Sequence, residues 1–96
     1  MKPSVAFEQN REFIREAAAR RKTTNPRIFG SVLHGTDHEG SDVDILVDAL
    51  PGASLFDLGG LQSELEDKLG VPVDVVTSGG LHRFIKDRVL AEARPV

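Results

Sequence analysis

The sequence contains no cysteine, tryptophan or tyrosine, and each absence excludes a class of protein. Without cysteine there is no disulfide framework, no thiolate nucleophile and no zinc site ligated by cysteine. The five aromatic residues are all Phe, and we expect most of them in the core, so a platform for stacking nucleic-acid bases is not expected. No apolar run approaches the roughly 18 residues that span a bilayer, and residues 1–11 lack the features of a signal peptide. These absences favour a cytoplasmic protein without a membrane segment.

The net charge and the length further restrict the classes of protein to which the chain can belong. A formal net charge of −3 argues against direct binding of DNA or RNA, because proteins that do so usually carry a basic face. Charged residues make up 28% and hydrophobic residues 40% of the 96 residues, which is typical of one globular domain spanning 1–96. A domain of this size leaves no room for a separate substrate-binding domain, so we expect a partner chain to supply that part.

Hydrophobic periodicity and turn residues predict seven elements in the order α-β-α-β-α-β-α. The first three are a helix over 4–22 with Ser4 as N-cap, a strand over 27–30 after a turn at 23–26, and a short helix over 31–35. A strand over 43–47 follows, and then a helix that runs from a capping box of Ser54 and Asp57 to Gly70. The last two are a strand over 71–76 and a helix with Leu81, Phe84, Ile85 and Val89 on its apolar face. Pro72 indicates that its strand lies at an edge of the sheet or enters it irregularly. This order predicts an α+β (α/β) fold with helices packed on a small sheet.

Asp42 and Asp44 stand two residues apart at the start of the strand over 43–47. Because side chains alternate along a strand, both carboxylates point to the same face of the sheet. Adjacent carboxylates repel each other, and a bound cation stabilises the ionised pair. Oxygen ligands without a soft ligand nearby favour Mg²⁺ or Mn²⁺ over zinc. Alone, Asp-x-Asp is a weak signal, since acidic pairs are common in exposed loops.

Asp74 stands alone among the apolar residues of the strand over 71–76. If this strand lies beside the strand over 43–47, Asp74 joins Asp42 and Asp44 in a three-carboxylate site that suits a two-metal mechanism. In such a site Asp42 and Asp44 bridge both ions, while Asp74 binds the ion on the side of the attacking hydroxyl and is a candidate general base. The alternative is that Asp42 and Asp74 only cap or terminate strands.

Gly30 and Ser31 form the second half of the candidate site. A strand that ends in Gly-Ser at the start of a short helix presents free backbone N–H groups to an anion. Gly30 lets the backbone approach a phosphate, and the Ser31 hydroxyl can donate to a β- or γ-phosphate oxygen; alternatively, Ser31 only caps the helix. No Gly-Lys-Ser/Thr of a P-loop is present. Together with the carboxylates, the pair indicates phosphoryl or nucleotidyl transfer.

The spacing of these motifs resembles that of a known superfamily. Gly30-Ser31, ten intervening residues and Asp42-Val43-Asp44 fit the Gly-Ser-x10-Asp-x-Asp signature of nucleotidyltransferases related to DNA polymerase β. The likeness is greatest to the minimal members, the MNT-domain antitoxins of the MntA type, and includes the segments NPRIFGS, SDVDILVD and LGVPVDVVT. The resemblance implies a polymerase-β-like fold, a small mixed sheet flanked by helices.

The resemblance also implies a function. Antitoxins of this kind belong to type VII (HEPN/MNT) pairs, and they transfer AMP from ATP to a tyrosine of a partner HEPN-domain RNase toxin, also called HepT, in a hetero-oligomer. The reaction needs Mg²⁺ or Mn²⁺. By the same resemblance the metal-binding catalytic residues are Asp42, Asp44 and Asp74, and the nucleotide-binding residues are Gly30, Ser31 and Ser41.

One position departs from the pattern of the family. Many relatives read Gly-Ser-x-x-Arg-Gly, whereas this chain has His34 before Gly35. A neutral His lacks a permanent positive charge near the phosphates, which would lower nucleotide affinity or make it depend on pH. Alternatively, residue 34 is a surface position that tolerates substitution.

Two other functions stay open at the level of the sequence. In the first, the chain neutralises its partner by binding alone, and the acidic site is inactive or only binds nucleotide. In the second, the chain is a small-molecule nucleotidyltransferase of the antibiotic-modifying kind. That class fits the motif, but its members resemble this domain with an added domain for the acceptor.

Overall fold

The computed structural model describes all 96 residues as a mixed four-stranded sheet flanked by helices. The elements in chain order are α1 (Pro3–Gln9), α2 (Arg11–Arg20), β1 (Thr23–Phe29), α3 (Gly30–His34), β2 (Val43–Ala49), α4 (Leu55–Leu69), β3 (Val73–Val76), a 3₁₀ turn (Ser78–Gly80), α5 (Arg83–Glu92) and β4 (Arg94–Pro95). The sheet order is β3-β2-β1-β4; β1 is antiparallel to β2 and β4, and β2 is parallel to β3. The predicted α+β fold is confirmed, with the short strand β4 as an addition. None of the helices is both long and apolar enough to cross a membrane.

The hydrophobic core lies between one face of the sheet and helices α1, α2 and α4. Val43, Ile45 and Val47 alternate along β2 and are fully buried in the core cluster. They pack in this cluster with apolar side chains of the helices, among them Phe7, Ile14, Leu61 and Leu65. Since successive side chains of a strand point to opposite faces, this packing turns Asp44 away from the core.

The predicted helix over 4–22 is interrupted at Asn10 and ends at Arg20. Asn10 leaves the helical conformation (φ −129°, ψ 19°), and its side-chain amide donates to the Ala6 carbonyl at 2.8 Å. This contact satisfies a carbonyl near the end of α1, where the helical hydrogen-bond pattern stops. The prediction of Ser4 as N-cap is wrong, because α1 begins one residue earlier, at Pro3.

Strand β1 begins earlier than predicted, at Thr23 rather than residue 27. Thr23 pairs with Ala49 of β2, and the register shifts between Thr24 and Arg27. Asn25 lies in this bulge with a positive φ of 54°. The turn-forming residues that suggested a turn at 23–26 therefore lie inside a strand, because the bulge accommodates them without ending the pairing.

Helix α4 begins at the capping box that the sequence predicts. The Asp57 side chain accepts a hydrogen bond from the Ser54 backbone N–H at 2.9 Å, and the Ser54 hydroxyl oxygen accepts from the Asp57 N–H at 3.4 Å. Gly70 ends the helix with a φ of 72°, as expected of a left-handed C-terminal glycine.

Replacing Ser54 with Ala should lower the free energy of unfolding by about 1 kcal/mol, because the first turn of α4 loses its side-chain acceptor. Urea unfolding followed by circular dichroism measures this loss. The matched control is Ser63→Ala on the exposed middle of the same helix, where a change within about 0.5 kcal/mol is expected. Equal losses in the two variants would contradict a capping role for Ser54.

Strand β3 lies at an edge of the sheet, as Pro72 indicates. Two of its backbone N–H groups bond to side chains of α4: Val73 donates to Glu66 Oε2 and Val75 donates to Gln62 Oε1, each at 3.1 Å. An open strand edge normally offers unpaired backbone groups to other chains. Here side chains of α4 satisfy two of the N–H donors of that edge.

Phe7 is the only buried side chain among the five Phe residues, which corrects the expectation that most of them lie in the core. Phe56 is 90% exposed and Phe84 is 79% exposed. The prediction that Phe84 belongs to the apolar face of the last helix is therefore wrong. Its ring lies beneath the Arg83 guanidinium on the outside of α5, and Val89 is the one buried residue of that helix.

Candidate active site

The register of β2 and β3 brings two of the three predicted carboxylates side by side. The strands are parallel, and Asp44 pairs with Asp74, so their backbones are roughly 4.8 Å apart. A hydrogen bond of 2.9 Å from the Val43 N–H to the Pro72 carbonyl fixes this end of the pairing. Asp42 lies one residue before β2 and is exposed. The sheet itself therefore assembles the Asp44–Asp74 pair.

The ionised form of Asp44 is disfavoured in this cluster. Its partial burial, and after that the charges of Asp74 and Asp42, raise the pKa of Asp44 to about 6. None of the three carboxylates forms an ion pair with a basic side chain. The cluster therefore carries uncompensated negative charge, which a cation would relieve.

The donor set suits a hard divalent cation, because all its ligands are carboxylate oxygens. Strand register holds Asp44 beside Asp74, whereas Asp42 stands outside the strand. As the side chains stand, no three His, Asp or Glu groups are close enough together to hold a metal ion. A site with all three carboxylates therefore needs a rearrangement of side chains, and the Mg²⁺ or Mn²⁺ site stays a prediction.

Gly30 connects the Gly-Ser motif physically to the carboxylates. It has a φ of +73°, and a Cβ added to it would lie 2.1 Å from Asp44 Oδ2 and 3.0 Å from Asp44 Cγ. A side chain at this position would thus occupy the place of the Asp44 carboxylate. The approach of a phosphate to the Gly30 backbone stays a prediction; the structure adds that the missing side chain leaves room for the Asp44 carboxylate. The two motifs are in contact although ten residues separate them.

A cleft of about 520 Å³ opens beside Gly30. Its lining residues come from the end of β1, from α3 and its C-terminal side, and from α5: Phe29, Gly30, Ser31, His34, Thr36, Ile85, Arg88, Val89 and Glu92. Its volume lies in the range of small-molecule sites in proteins. The Gly-Ser pair thus forms the boundary between the cleft and the carboxylate cluster.

The segment that leads into Asp42 is held by a contact with α1 and by a turn of its own. The backbone N–H of Ser4 donates to Asp37 Oδ2 at 2.8 Å, and this hydrogen bond lowers the pKa of Asp37 below its ordinary value. Ser41 closes a turn, in which its hydroxyl accepts from the His38 N–H at 3.0 Å. Ser41 is not among the residues of the cleft, so its predicted contact with nucleotide stays a prediction. Asp37 was not identified from the sequence.

Three ionisable side chains line the cleft. His34 Nε2 lies 2.9 Å from Glu92 Oε2, and Arg88 is the third. Arg88 and Glu92 were not identified from the sequence, because α5 lies more than fifty residues after the Gly-Ser motif. The one available signal was their helical spacing with the apolar residues Ile85 and Val89, which places all four on one face of α5.

The comparison with known sequences agrees with the site. A family model described as nucleotidyltransferase domain matches residues 11–96. The chain is 50% identical to MJ0435 of Methanocaldococcus jannaschii, named as a candidate protein adenylyltransferase, over 66 residues that cover 69% of this chain and 71% of that protein. It is 43% identical to the protein adenylyltransferase MntA of Thermococcus cleftensis over 65 residues, 68% of this chain and 66% of that protein.

Solved structures extend the likeness to the fold. A candidate minimal nucleotidyltransferase superposes with a TM-score of 0.86 at 38% identity, over 97% of this chain and 95% of that one. A toxin-antitoxin complex with AMP-PNP contains a chain with a TM-score of 0.76 at 25% identity, over 90% of this chain and 71% of that one. The sheet and helices described above are thus those of a minimal nucleotidyltransferase.

Proposed function

The chain belongs to the nucleotidyltransferase domain family, and on that basis we propose that it is a protein adenylyltransferase of a type VII (HEPN/MNT) toxin-antitoxin pair. It transfers AMP from ATP to a tyrosine of a partner HEPN-domain RNase toxin. The observation that carries the proposal is the contact between the two motifs: Asp44 lies against Gly30, and the cleft begins at the same residue. A nucleotide in the cleft would thus have its phosphates beside the carboxylates.

The side chains have separate tasks in this reaction. The Ser31 hydroxyl donates to a phosphate oxygen and orients the triphosphate, and Ser41, directly before Asp42, is a second candidate for nucleotide contact. Asp74 accepts the proton of the tyrosine hydroxyl. The tyrosine oxygen then attacks the α-phosphorus, the bond from this phosphorus to the bridging oxygen breaks, and pyrophosphate leaves with the electron pair.

Asp42, Asp44 and Asp74 are the residues that would hold Mg²⁺ or Mn²⁺. The bound cation supplies charge neutralisation for the triphosphate and lowers the pKa of the attacking hydroxyl. The fit depends on the all-oxygen donor set and on the strained charge of Asp44, whose pKa is raised by burial and, after that, by repulsion from Asp74 and Asp42.

A partner protein supplies the acceptor in this proposal. The second cavity of the chain is about 300 Å³ and shares His34 and Glu92 with the cleft, and there is no third cavity. A nucleotide in the cleft thus leaves no separate pocket for an acceptor. The toxin-antitoxin complex among the structural relatives was solved with AMP-PNP, which supports both a toxin partner and a nucleotide substrate. We assign the reaction to the cytoplasm, where ATP and the RNA substrates of an RNase are found.

Mass spectrometry of the co-purified pair tests the proposal. After incubation with ATP and Mg²⁺, the toxin should gain the mass of one or more AMP groups, and this chain should gain none. The double variant Asp42→Asn, Asp44→Asn serves as the control and should leave the mass of the toxin unchanged.

Two results would contradict the proposal, and each would favour one of the two alternative functions. An inhibited toxin of unchanged mass would indicate neutralisation by binding alone. Adenylylation of an aminoglycoside by the chain without any partner would indicate a small-molecule nucleotidyltransferase.

A further inference from the structure

The cleft contains one positively charged group that the protein itself does not neutralise. Of its three ionisable residues, His34 and Glu92 pair with each other at 2.9 Å. The Arg88 side chain takes part in no ion pair, hydrogen bond or cation–π contact of the chain. A guanidinium without a partner beside a cleft is available to an anionic ligand.

The position of Arg88 follows from the packing of α5. Ile85, Arg88, Val89 and Glu92 recur at helical spacing and all line the cleft. Val89 is buried and anchors this face of the helix. Glu92 is one turn after Arg88, at a spacing that allows an ion pair between them, yet its carboxylate lies against His34 on the opposite wall. The pairing of Glu92 with His34 therefore leaves Arg88 free.

We infer that Arg88 binds the β- and γ-phosphates of ATP in this cleft. The inference rests on the proposed function, since it concerns the nucleotide of the same reaction. Ser31 on one wall and Arg88 on the other are the neutral donor and the cationic donor for the triphosphate. Arg presents several N–H donors in one plane and can bond two phosphate oxygens at once. His34, already engaged by Glu92, does not provide this charge.

Binding of AMP-PNP to the full-length chain tests this assignment without any partner or transfer step. Arg88→Gln should raise the Kd for AMP-PNP in isothermal titration calorimetry about 10- to 100-fold, the usual loss for a charge-assisted hydrogen bond. Arg88→Lys, which retains the charge, should recover part of the affinity. In steady-state transfer with the toxin partner, Arg88→Gln should raise the KM for ATP more than it lowers kcat.

The matched control is Arg83→Gln on the same helix. Arg83 lies over the Phe84 ring and is not among the cleft residues, so its loss should leave the Kd unchanged. Two results would overturn the assignment of Arg88: an unchanged Kd in Arg88→Gln, or an equal loss of affinity in Arg88→Gln and Arg83→Gln. Either result would leave the proposed function standing. If the unsubstituted chain binds no AMP-PNP, the assignment and the proposed function both fail.

Discussion

Replacing Asp44 with Asn is expected to reduce adenylyl transfer about a thousandfold or more, while the fold survives. Asp44 is the central carboxylate of the cluster: it pairs with Asp74 across the strands and lies against Gly30. An amide has nearly the same size but no charge with which to hold a divalent cation. A loss of several kcal/mol of transition-state stabilisation corresponds to this fall in rate. Single-turnover transfer of labelled AMP to the toxin measures it.

The same substitution should stabilise the metal-free chain at neutral pH. The pKa of Asp44 is about 6 in the folded chain against an ordinary value of 3.8, so between these values the folded state binds more protons than the unfolded state. Stability therefore decreases as the pH rises from about 4 to about 6 and stays lower above that. Asn does not titrate. Since Asp44 is partly exposed to solvent, we expect Asp44→Asn to gain on the order of 1 kcal/mol at pH 7.5 and little at pH 4.

Asp48→Asn is the matched control, because it makes the same change four residues further along β2. Asp48 is exposed and pairs with Arg27 at 2.6 Å, outside the cluster. This variant should retain transfer and lose up to about 1 kcal/mol of stability. Mg²⁺ or Mn²⁺ should raise the melting temperature of the unsubstituted chain but not that of Asp44→Asn. A metal response that survives in Asp44→Asn would exclude Asp44 as a ligand.

Gly30→Ala is expected to be the second most damaging single change, with transfer reduced about a hundredfold. The added methyl group would lie 2.1 Å from Asp44 Oδ2, so the Asp44 carboxylate must move away. A displacement of about 1 Å at a catalytic group is enough for a loss of this size. Alanine at a φ of +73° also costs about 1 kcal/mol of stability.

Gly70→Ala separates the cost of a positive φ from the contact with Asp44, the two effects of Gly30→Ala. Gly70 has nearly the same φ, +72°, but no atom lies within 4 Å of an added Cβ. This variant should lose about 1 kcal/mol in urea unfolding and transfer AMP at the normal rate. If Gly70→Ala reduces transfer as much as Gly30→Ala does, the contact with Asp44 is not the cause.

The parts of the site that were predictable from the sequence are those that depend on short-range rules. Alternation along VDILV placed Asp44 opposite Val43, Ile45 and Val47, and the burial of these three agrees with it. Asp42 precedes the strand, so its place on the same face stays a prediction. The Ser54–Asp57 capping box fixed the start of α4. In each case the residues that decide the structure are within four positions of each other.

What sequence reasoning missed depends on contacts between distant segments. Thr23 and its neighbours join β1 because β2 pairs with them across the sheet, which outweighs the turn preference of Asn25 and Pro26. The break between helices α1 and α2 at Asn10 is not marked by a glycine or a proline in the sequence. Arg88 enters the site only when α5 folds back over the Gly-Ser motif. The spacing of residues within one helix cannot specify which other segment its face will meet.

The partly covered edge of β3 bears on how the acceptor of the proposed reaction would reach Asp74. Many proteins capture an extended peptide by adding it as a further strand to an open sheet edge. Gln62 and Glu66 already bond the Val75 and Val73 N–H groups of that edge, so a peptide that added there next to Asp74 would first have to displace both side chains. In the proposed reaction, the acceptor tyrosine would then be presented across the face of the sheet by a surface that is already folded. Substrate selection would then depend on the shape of the toxin rather than on a linear motif, so short peptides containing its tyrosine should be poor acceptors.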